Sequence, residues 1–451
     1  MSQNLDLTKG RLLPVLLQFT YPILLSILLQ TTYGTADLLI VGQFANVADV
    51  SGVTIGSMIM LAITSCFTGL SMGTTILIAR YIGSGQGDKS SRVVGVSIFL
   101  FALLALVFTA FLLLGNDFLT NIMQTPTESI SNTKSYLYIC GAGTIFIVSY
   151  NLLGSIFRGL GDSKTPLLSV AIACIINIVL DLLFVAKCNM GSSGAALATV
   201  IAQASSVVLS ILIIRKRKLA FSLSRKDICF DGFYIKNILS LGIPVAMQGV
   251  LVTISFLSVT AIINVFGVAQ SAAVGIVEKI TNLVMVVPQA FAQALAAFTA
   301  QNLGAKEIDR AKKGLFYSIT LSLVFGVMTA FISAFHGTIF TKLFTSDAEI
   351  TTHALLYLRS YSIDCILVAI MFSYAGFFNG CGKTTFVMIE SILGAFCIRI
   401  PLAYLFSTLE GTNMFVIGLA TPSSTFVQII LCVVYYRCVM KREHTLVAEL
   451  Y

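Results

Sequence analysis

Long apolar runs divided by short polar breaks organise this chain. Residues 12–36, 93–116 and 314–341 contain no Asp, Glu, Lys or Arg. Each run exceeds the roughly 20 residues that a helix needs to cross the hydrocarbon core of a bilayer. Reading every apolar run against its charged flanks predicts twelve spans. Six lie at 14–41, 51–78, 92–115, 135–157, 166–186 and 194–214, and six more at 238–263, 270–299, 315–340, 355–378, 385–407 and 414–436. The expected fold class is an all-α membrane protein.

Composition sharpens that expectation. The 451 residues are 57% hydrophobic and 11% charged, with a mean hydropathy of +0.93, whereas a soluble domain carries about 25% charged residues. The first apolar run is too long for a signal-peptide core and lacks a small-residue cleavage pattern, so it reads as a permanent span. Lys and Arg divide 22 to 3 between alternate connections, the three being Lys134, Lys187 and Lys342. An excess of that size places the richer side, and with it both termini, in the cytoplasm. The location it implies is a bacterial inner membrane. The same residues, scattered over seven segments, account for the net charge of +8 without a nucleic-acid-binding face. Six of the ten Cys, namely Cys66, Cys140, Cys174, Cys365, Cys397 and Cys432, fall inside apolar runs with no metal-ligand spacing. They read as small core hydrophobes.

The chain also repeats itself. A shift of 221 residues lays Ala79-x-x-Ile-Gly83 on Ala300-x-x-Leu-Gly304, Tyr136-Leu137 on Tyr357-Leu358, and Phe157-x-Gly159-x-Gly161 on Phe378-x-Gly380-x-Gly382, while Pro22 and Pro244 fall one residue off. Six helices is an even number, so both halves start on the cytoplasmic side and have parallel topology. The domains expected are a first lobe at 1–214, a basic cytoplasmic linker at 215–237 and a second lobe at 238–451. A central cleft between two such lobes would serve alternating access. The string Gly380-Cys-Gly-Lys-Thr-Thr385 resembles the end of a nucleotide-binding loop, but the full pattern needs Gly where this chain has Phe377. It also coincides with a repeated loop between two membrane helices, which removes ATP hydrolysis as the energy source.

Intramembrane charge is then the pointer to function, because an Asp near a helix centre costs on the order of 3 kcal/mol on insertion scales. The first lobe has two such acids, Asp37 and Asp181. Each precedes an outer boundary by five or six residues, which at 1.5 Å per residue sets both about 8 Å below the outer mouth. Asn177 shares the Asp181 face one turn deeper, and Thr199 on the next span reaches the same depth. Two carboxylates, an amide oxygen and a hydroxyl could hold a small cation or a shared proton. The alternative is that each group sits singly, hydrogen-bonded to backbone. Adding 221 gives Ser258, Ile398, Leu402 and Ala420, so the constellation is expected in one lobe only. In the second lobe Glu278, Asp364, Glu390 and Arg399 are candidates to face a substrate cleft.

The stretches Thr35-Ala-Asp-Leu-Leu-Ile-Val-Gly42, Asn177-Ile-Val-Leu-Asp181 and Gly194-Ala-Ala-Leu-Ala-Thr199, with the paired loops at Gly83 and Gly304, resemble the multidrug and toxic compound extrusion (MATE) family over nearly the whole length. The resemblance implies two six-helix lobes and export of organic cations in exchange for H⁺ or Na⁺. It further implies a cation site at Asp37, Asn177, Asp181 and Thr199, no cofactor, and no metal beyond Na⁺ at that site. Another branch of the family couples through acids in the seventh and tenth spans; this chain has no acid in the seventh, but Asp364 lies in the tenth. A flippase for lipid-linked saccharides is the alternative, and it would need a strongly cationic cleft. A membrane enzyme would need a catalytic constellation, and His336, His353 and His444 are not paired with an acid in a span. The expected partners are small organic cations and the lipid bilayer, with the monomer as the working unit.

Overall fold

The computed structural model describes residues 5–216, 224–342, 344, 345 and 347–440. Among them every regular element is helical, the form in which a span satisfies its own backbone N–H and C=O groups away from water. The spans are α1 (Leu12–Phe44), α2 (Val47–Gly83), α3 (Gly87–Leu114), α4 (Thr127–Ala142 with Thr144–Gly159), α5 (Lys164–Lys187) and α6 (Gly191–Lys216). After the linker come α7 (Gly232–Asn264), α8 (Val268–Gly304), α9 (Ile308–Phe335), α10 (Ala348–Gly380), α11 (Thr384–Ser407) and α12 (Met414–Cys438). Eleven are long and apolar enough to span alone, and α4 makes a twelfth as a pair bent by 55°. Large apolar side chains such as Leu61, Leu106 and Phe331 are exposed, the surface that lipid covers.

The 135–157 span is therefore broken rather than continuous. The break falls at Gly143, where an added Cβ would lie 2.4 Å from the Val200 side chain of α6. Only a residue without a side chain lets the two helices meet there.

Both repeated loops have repeated geometry. Gly85 and, 221 residues on, Lys306 have positive φ of 72° and 63°. The next N–H in each case reaches back to the helix, Gln86 to the Tyr81 carbonyl at 2.9 Å and Glu307 to that of Asn302 at 2.8 Å. Gly161 and Gly382 share a φ of 78°, followed by Asp162 donating to the Phe157 carbonyl and Lys383 to that of Phe378, each at 2.9 Å. The Gly382 turn joins two helices, so the strand-to-helix context of a phosphate loop is missing.

The chain divides into two compact units. One is built chiefly of Tyr21–Ala246, the other of Leu7–Thr20 with residues from Met247 onward. The boundaries fall inside α1 and α7, beside Pro22 and Pro244, not within the 215–237 segment. In unit 1 the start of α7 packs closely on α2: a Cβ on Gly73 would meet the Ile238 carbonyl oxygen at 2.3 Å, and one on Gly242 that of Leu70 at 2.5 Å. Small residues at helix contacts are the usual way to bring helices together in lipid. In unit 2 the residues before α1 are tied down by Arg310, whose guanidinium donates to the carbonyls of Leu7, Lys9 and Gly10 at 2.8 to 3.1 Å. The described part of the linker docks on α3, through Ser91 to Asp227 at 3.0 Å and Arg92 to Asp231 at 3.3 Å. Of the cationic residues that set the expected orientation, Arg217, Lys218, Lys441 and Arg442 lie outside the described residues.

The cysteines are free thiols, and Cys140, Cys174, Cys365 and Cys432 are buried; Cys66 is half-buried and Cys397 is exposed. Cys397 is thus an outward-facing side chain and not the core residue expected of it.

Candidate functional site

In unit 1, α1, α5 and α6 bring the four expected groups together. Asp37 is 7% exposed, Asn177 1% and Asp181 0%, and Thr199 is half-buried. The carboxyls of Asp37 and Asp181 lie within hydrogen-bonding reach of each other. One turn away, Asn177 Nδ2 donates to Thr199 Oγ1 at 3.5 Å. Asp37 Oδ1, Asn177 Oδ1 and both Asp181 oxygens are buried with no protein donor. Buried polar atoms are almost always paired, and here several buried oxygens in one place have no donor. The acceptor set is wholly oxygen, the ligand type of a small hard cation and not of a thiolate- or imidazole-seeking metal.

The alternative reading, in which each group is satisfied singly by backbone, does not fit these atoms. Immediately after Asp181, residues Leu182–Lys187 form a π-helical turn, a distortion common at functional positions of membrane and soluble helices alike.

Further groups extend the site and were not singled out from the sequence. Tyr33, Tyr150, Asn177, Thr199 and Gln203 line a cavity of about 10 Å³, of the order that one water needs. Tyr33 and Gln203 face each other across it, and Gln30 Nε2 donates to the Tyr150 hydroxyl at 2.9 Å. Helical spacing was the available signal: Tyr33 precedes Asp37 by four residues and Gln203 follows Thr199 by four, so each shares a helix face with a site residue.

Unit 2 has a different polar interior. Arg399, 5% exposed, stacks over the Phe256 ring at 4.3 Å and donates to Ser255 Oγ at 3.4 Å. Asp364, 2% exposed, lies within electrostatic range of the Arg399 guanidinium, as do Tyr357 and Tyr361, while the Thr425 hydroxyl donates to the Thr421 carbonyl at 3.2 Å. Glu278 is half-buried and accepts from Thr260 Oγ1 at 2.8 Å; its neighbour Lys279 is exposed. Glu390 stands apart from this cluster. It is 1% exposed and accepts from Ser391 Oγ, which in turn accepts from Gln248 at 2.9 Å. Of the four second-lobe candidates, the fold brings Asp364 and Arg399 into one cluster, with Glu278 at its edge through Tyr357.

The family model described as MatE matches the chain twice, over residues 22–183 and again over 244–405. The chain belongs to the MATE family. It is 26% identical over 433 residues to the probable multidrug resistance protein YpnP of Bacillus subtilis, covering 96% of each chain. It is 22% identical over 405 residues to the multidrug export protein MepA of Staphylococcus haemolyticus, covering 89% of each. Among solved structures it superposes on a MATE protein in complex with MaL6 with a TM-score of 0.92, at 21% identity and with 99% of this chain and 100% of that one covered. A transporter of the wider superfamily from Pyrococcus furiosus gives the same TM-score at 21% identity, covering 98% and 99%.

The two family matches start 222 residues apart and end 222 apart, one more than the shift of 221 at the loops and the same as that between Pro22 and Pro244. The fifth helices align as Asn177-Ile-Val-Leu-Asp181-Leu-Leu on Arg399-Ile-Pro-Leu-Ala403-Tyr-Leu, and the sixth as Leu197-Ala-Thr199 on Leu419-Ala-Thr421. The physical reason lies in α11. Its segment Leu393–Arg399 is π-helical, and a π turn accommodates one residue more than an α turn. The loops before α5 and α11 keep the 221 register, and the extra residue in the π turn moves it to 222. Counterparts of Asp37, Asn177, Asp181 and Thr199 are thus Val259, Arg399, Ala403 and Thr421, not Ser258, Ile398, Leu402 and Ala420. In this register the four groups are not all confined to one lobe. Thr199 recurs as Thr421, and the polar position of Asn177 recurs as Arg399. Only the two carboxylates have no polar equivalent.

Proposed function

We propose that the protein is a secondary multidrug exporter that exchanges organic cations for H⁺ or Na⁺ by alternating access, with Asp37 and Asp181 as the coupling pair. The observation that supports this most directly is the meeting of two buried carboxyls of which Asp37 Oδ1 and both Asp181 oxygens have no protein donor. Two carboxylates at that separation repel, and the repulsion is relieved either by a proton held between them or by a cation that both ligate. Asn177 and Thr199 would add an amide and a hydroxyl oxygen to a bound Na⁺. Because the neutralising charge can leave, the pair alternates between a repelled and a relaxed state. Such a two-state element is what an ion gradient needs in order to drive a conformational cycle.

Multidrug resistance and export are what the named relatives are described as doing, and that extends to this chain as the substrate class: amphipathic organic cations. The protein would act in the cytoplasmic membrane, as a monomer, with both termini inside. Neither a cofactor nor a catalytic reaction enters this reading.

The test is export of a fluorescent organic cation from everted vesicles, driven separately by a proton gradient and by a Na⁺ gradient. Export under one gradient is expected. Equal export with both gradients collapsed would remove secondary coupling. Phosphatase activity in the periplasm from a fusion after Tyr451 would overturn the orientation.

A further inference from the structure

Resting on the reading of Asp37 and Asp181 as the coupling pair, we propose that Arg399 is a tethered cation. It holds in unit 2 the place that an exchangeable cation takes in unit 1, and so closes the second half of the repeat to ion coupling.

Three independent features carry this. The first is position: the extra residue of the Leu393–Arg399 π turn sets Arg399 at the repeat position of Asn177, with Thr421 at that of Thr199. The second is geometry. The guanidinium is buried on α7 against Phe256 and Ser255, one turn before Val259, which stands where α1 has Asp37. It therefore reaches the helix that would have supplied the first carboxylate. The third is charge balance. No cationic side chain acts on Asp37 or Asp181, Arg158 reaching only Tyr150 at the edge of the cavity, whereas Asp364 lies within range of the Arg399 guanidinium. A buried carboxylate in lipid is tolerated when a cationic side chain accompanies it.

A mobile cation approaching this cluster meets the guanidinium at low dielectric, where repulsion falls off only slowly with distance. The tethered charge cannot leave, so it is constant through a cycle. Coupling requires a charge that comes and goes. Asp364 Oδ1 and Arg399 Nε have no protein partner, so Asp364 keeps a free acceptor that could hold a cation once the guanidinium is gone.

The test measures ²²Na⁺ bound by equilibrium dialysis and protons taken up at fixed pH on the purified full-length protein. In a background carrying Asp37→Asn and Asp181→Asn, which removes the unit 1 site, Arg399→Asn is expected to restore one equivalent of bound Na⁺ or H⁺. That equivalent should vanish when Asp364→Asn is added, and Arg399→Lys should restore none. No restored cation in a protein that remains folded by size exclusion and thermal melting would overturn the proposal, as would restored binding that survives Asp364→Asn. A second comparison needs no Arg399 variant: Asp364→Asn alone should leave the number of bound cations unchanged, and loss of an equivalent would overturn the tethered role. If Asp37→Asn with Asp181→Asn removes no cation from the wild type, the reading of unit 1 fails, while the Asp364 comparison still judges Arg399.

Discussion

Asp37 and Asp181 in unit 1 stand where unit 2 has Val259 and Ala403, and Asn177 stands where unit 2 has Arg399. A third difference lies on the fourth and tenth helices. Gly143, at the break in α4, corresponds in the 221 register to Asp364 in α10, which continues unbroken through Ala348–Gly380. Unit 1 thus spends that position on a close helix contact with Val200, and unit 2 uses it for a carboxylate beside a fixed guanidinium. One repeat has been filled twice, once with carboxyls at the positions of Asp37 and Asp181 and once with apolar residues there and a guanidinium at the position of Asn177. A duplicated scaffold thus leaves the position of a buried carboxyl free: Asp37 and Asp181 correspond to Val259 and Ala403, and Asp364 corresponds to Gly143.

The largest effect expected from breaking this contrast is on unit 1. Asp37→Asn or Asp181→Asn keeps side-chain size and removes the charge to be neutralised, so gradient-driven export should fall on the order of 100-fold, with expression unchanged. Vesicle transport checks this; wild-type rates from either variant would place coupling elsewhere, with Asp364 as the next position to examine.

In unit 2 the expected effect is on stability. Arg399→Ala removes the guanidinium that packs over Phe256 and lies within range of Asp364, at a cost on the order of 1 kcal/mol, visible as a lower Tm in detergent. Adding Asp364→Asn should recover part of that loss. Strictly additive losses would mean that the two charges do not answer each other.

A smaller effect separates the two threonines. Thr199→Val removes one hydroxyl ligand and should weaken cation binding by about 1 kcal/mol, roughly fivefold, while Thr421→Val should leave the cation affinity of unit 1 untouched. Equal losses from both would erase the distinction between the units. The smallest effect belongs to Ser258, whose hydroxyl bonds only to the Ile254 carbonyl one turn back on its own helix. Ser258→Ala should change transport and stability by less than about 0.5 kcal/mol, and a large loss would restore it as the true partner of Asp37.

Much of the candidate site was legible because helices are periodic. Asp37 and Asp181 could be given a common depth from their distances to the outer boundaries, and Asn177 and Thr199 followed from spacing on the same helix face. Tyr33 and Gln203 obey the same spacing, yet Tyr and Gln inside a span carry no charge to draw attention to them. Tyr150 could not be found this way, since it comes from α4, which carries none of the four expected residues, and meets α1 through the Gln30 hydrogen bond and the shared cavity.

The sequence by itself determined the twelve spans, the excess of cationic residues on alternate connections, the repeat and the acids that stand alone in the first lobe. These are properties of local composition and of the length needed to cross a bilayer, so they do not depend on which helix touches which. Tertiary structure decided the rest. The break in α4 depends on Val200 lying 2.4 Å from where a Cβ of Gly143 would be, a contact between residues distant in the chain. The unit boundaries fall within α1 and α7 because the two ends of each helix pack with different neighbours. The register of the second fifth helix rests on the π turn at Leu393–Arg399, where one extra residue is absorbed without a gap in the apolar pattern. Hydrophobic periodicity cannot register that residue, because a bulged helix and a straight one are equally apolar, yet it is what exchanges Ile398 for Arg399 at the heart of the second unit.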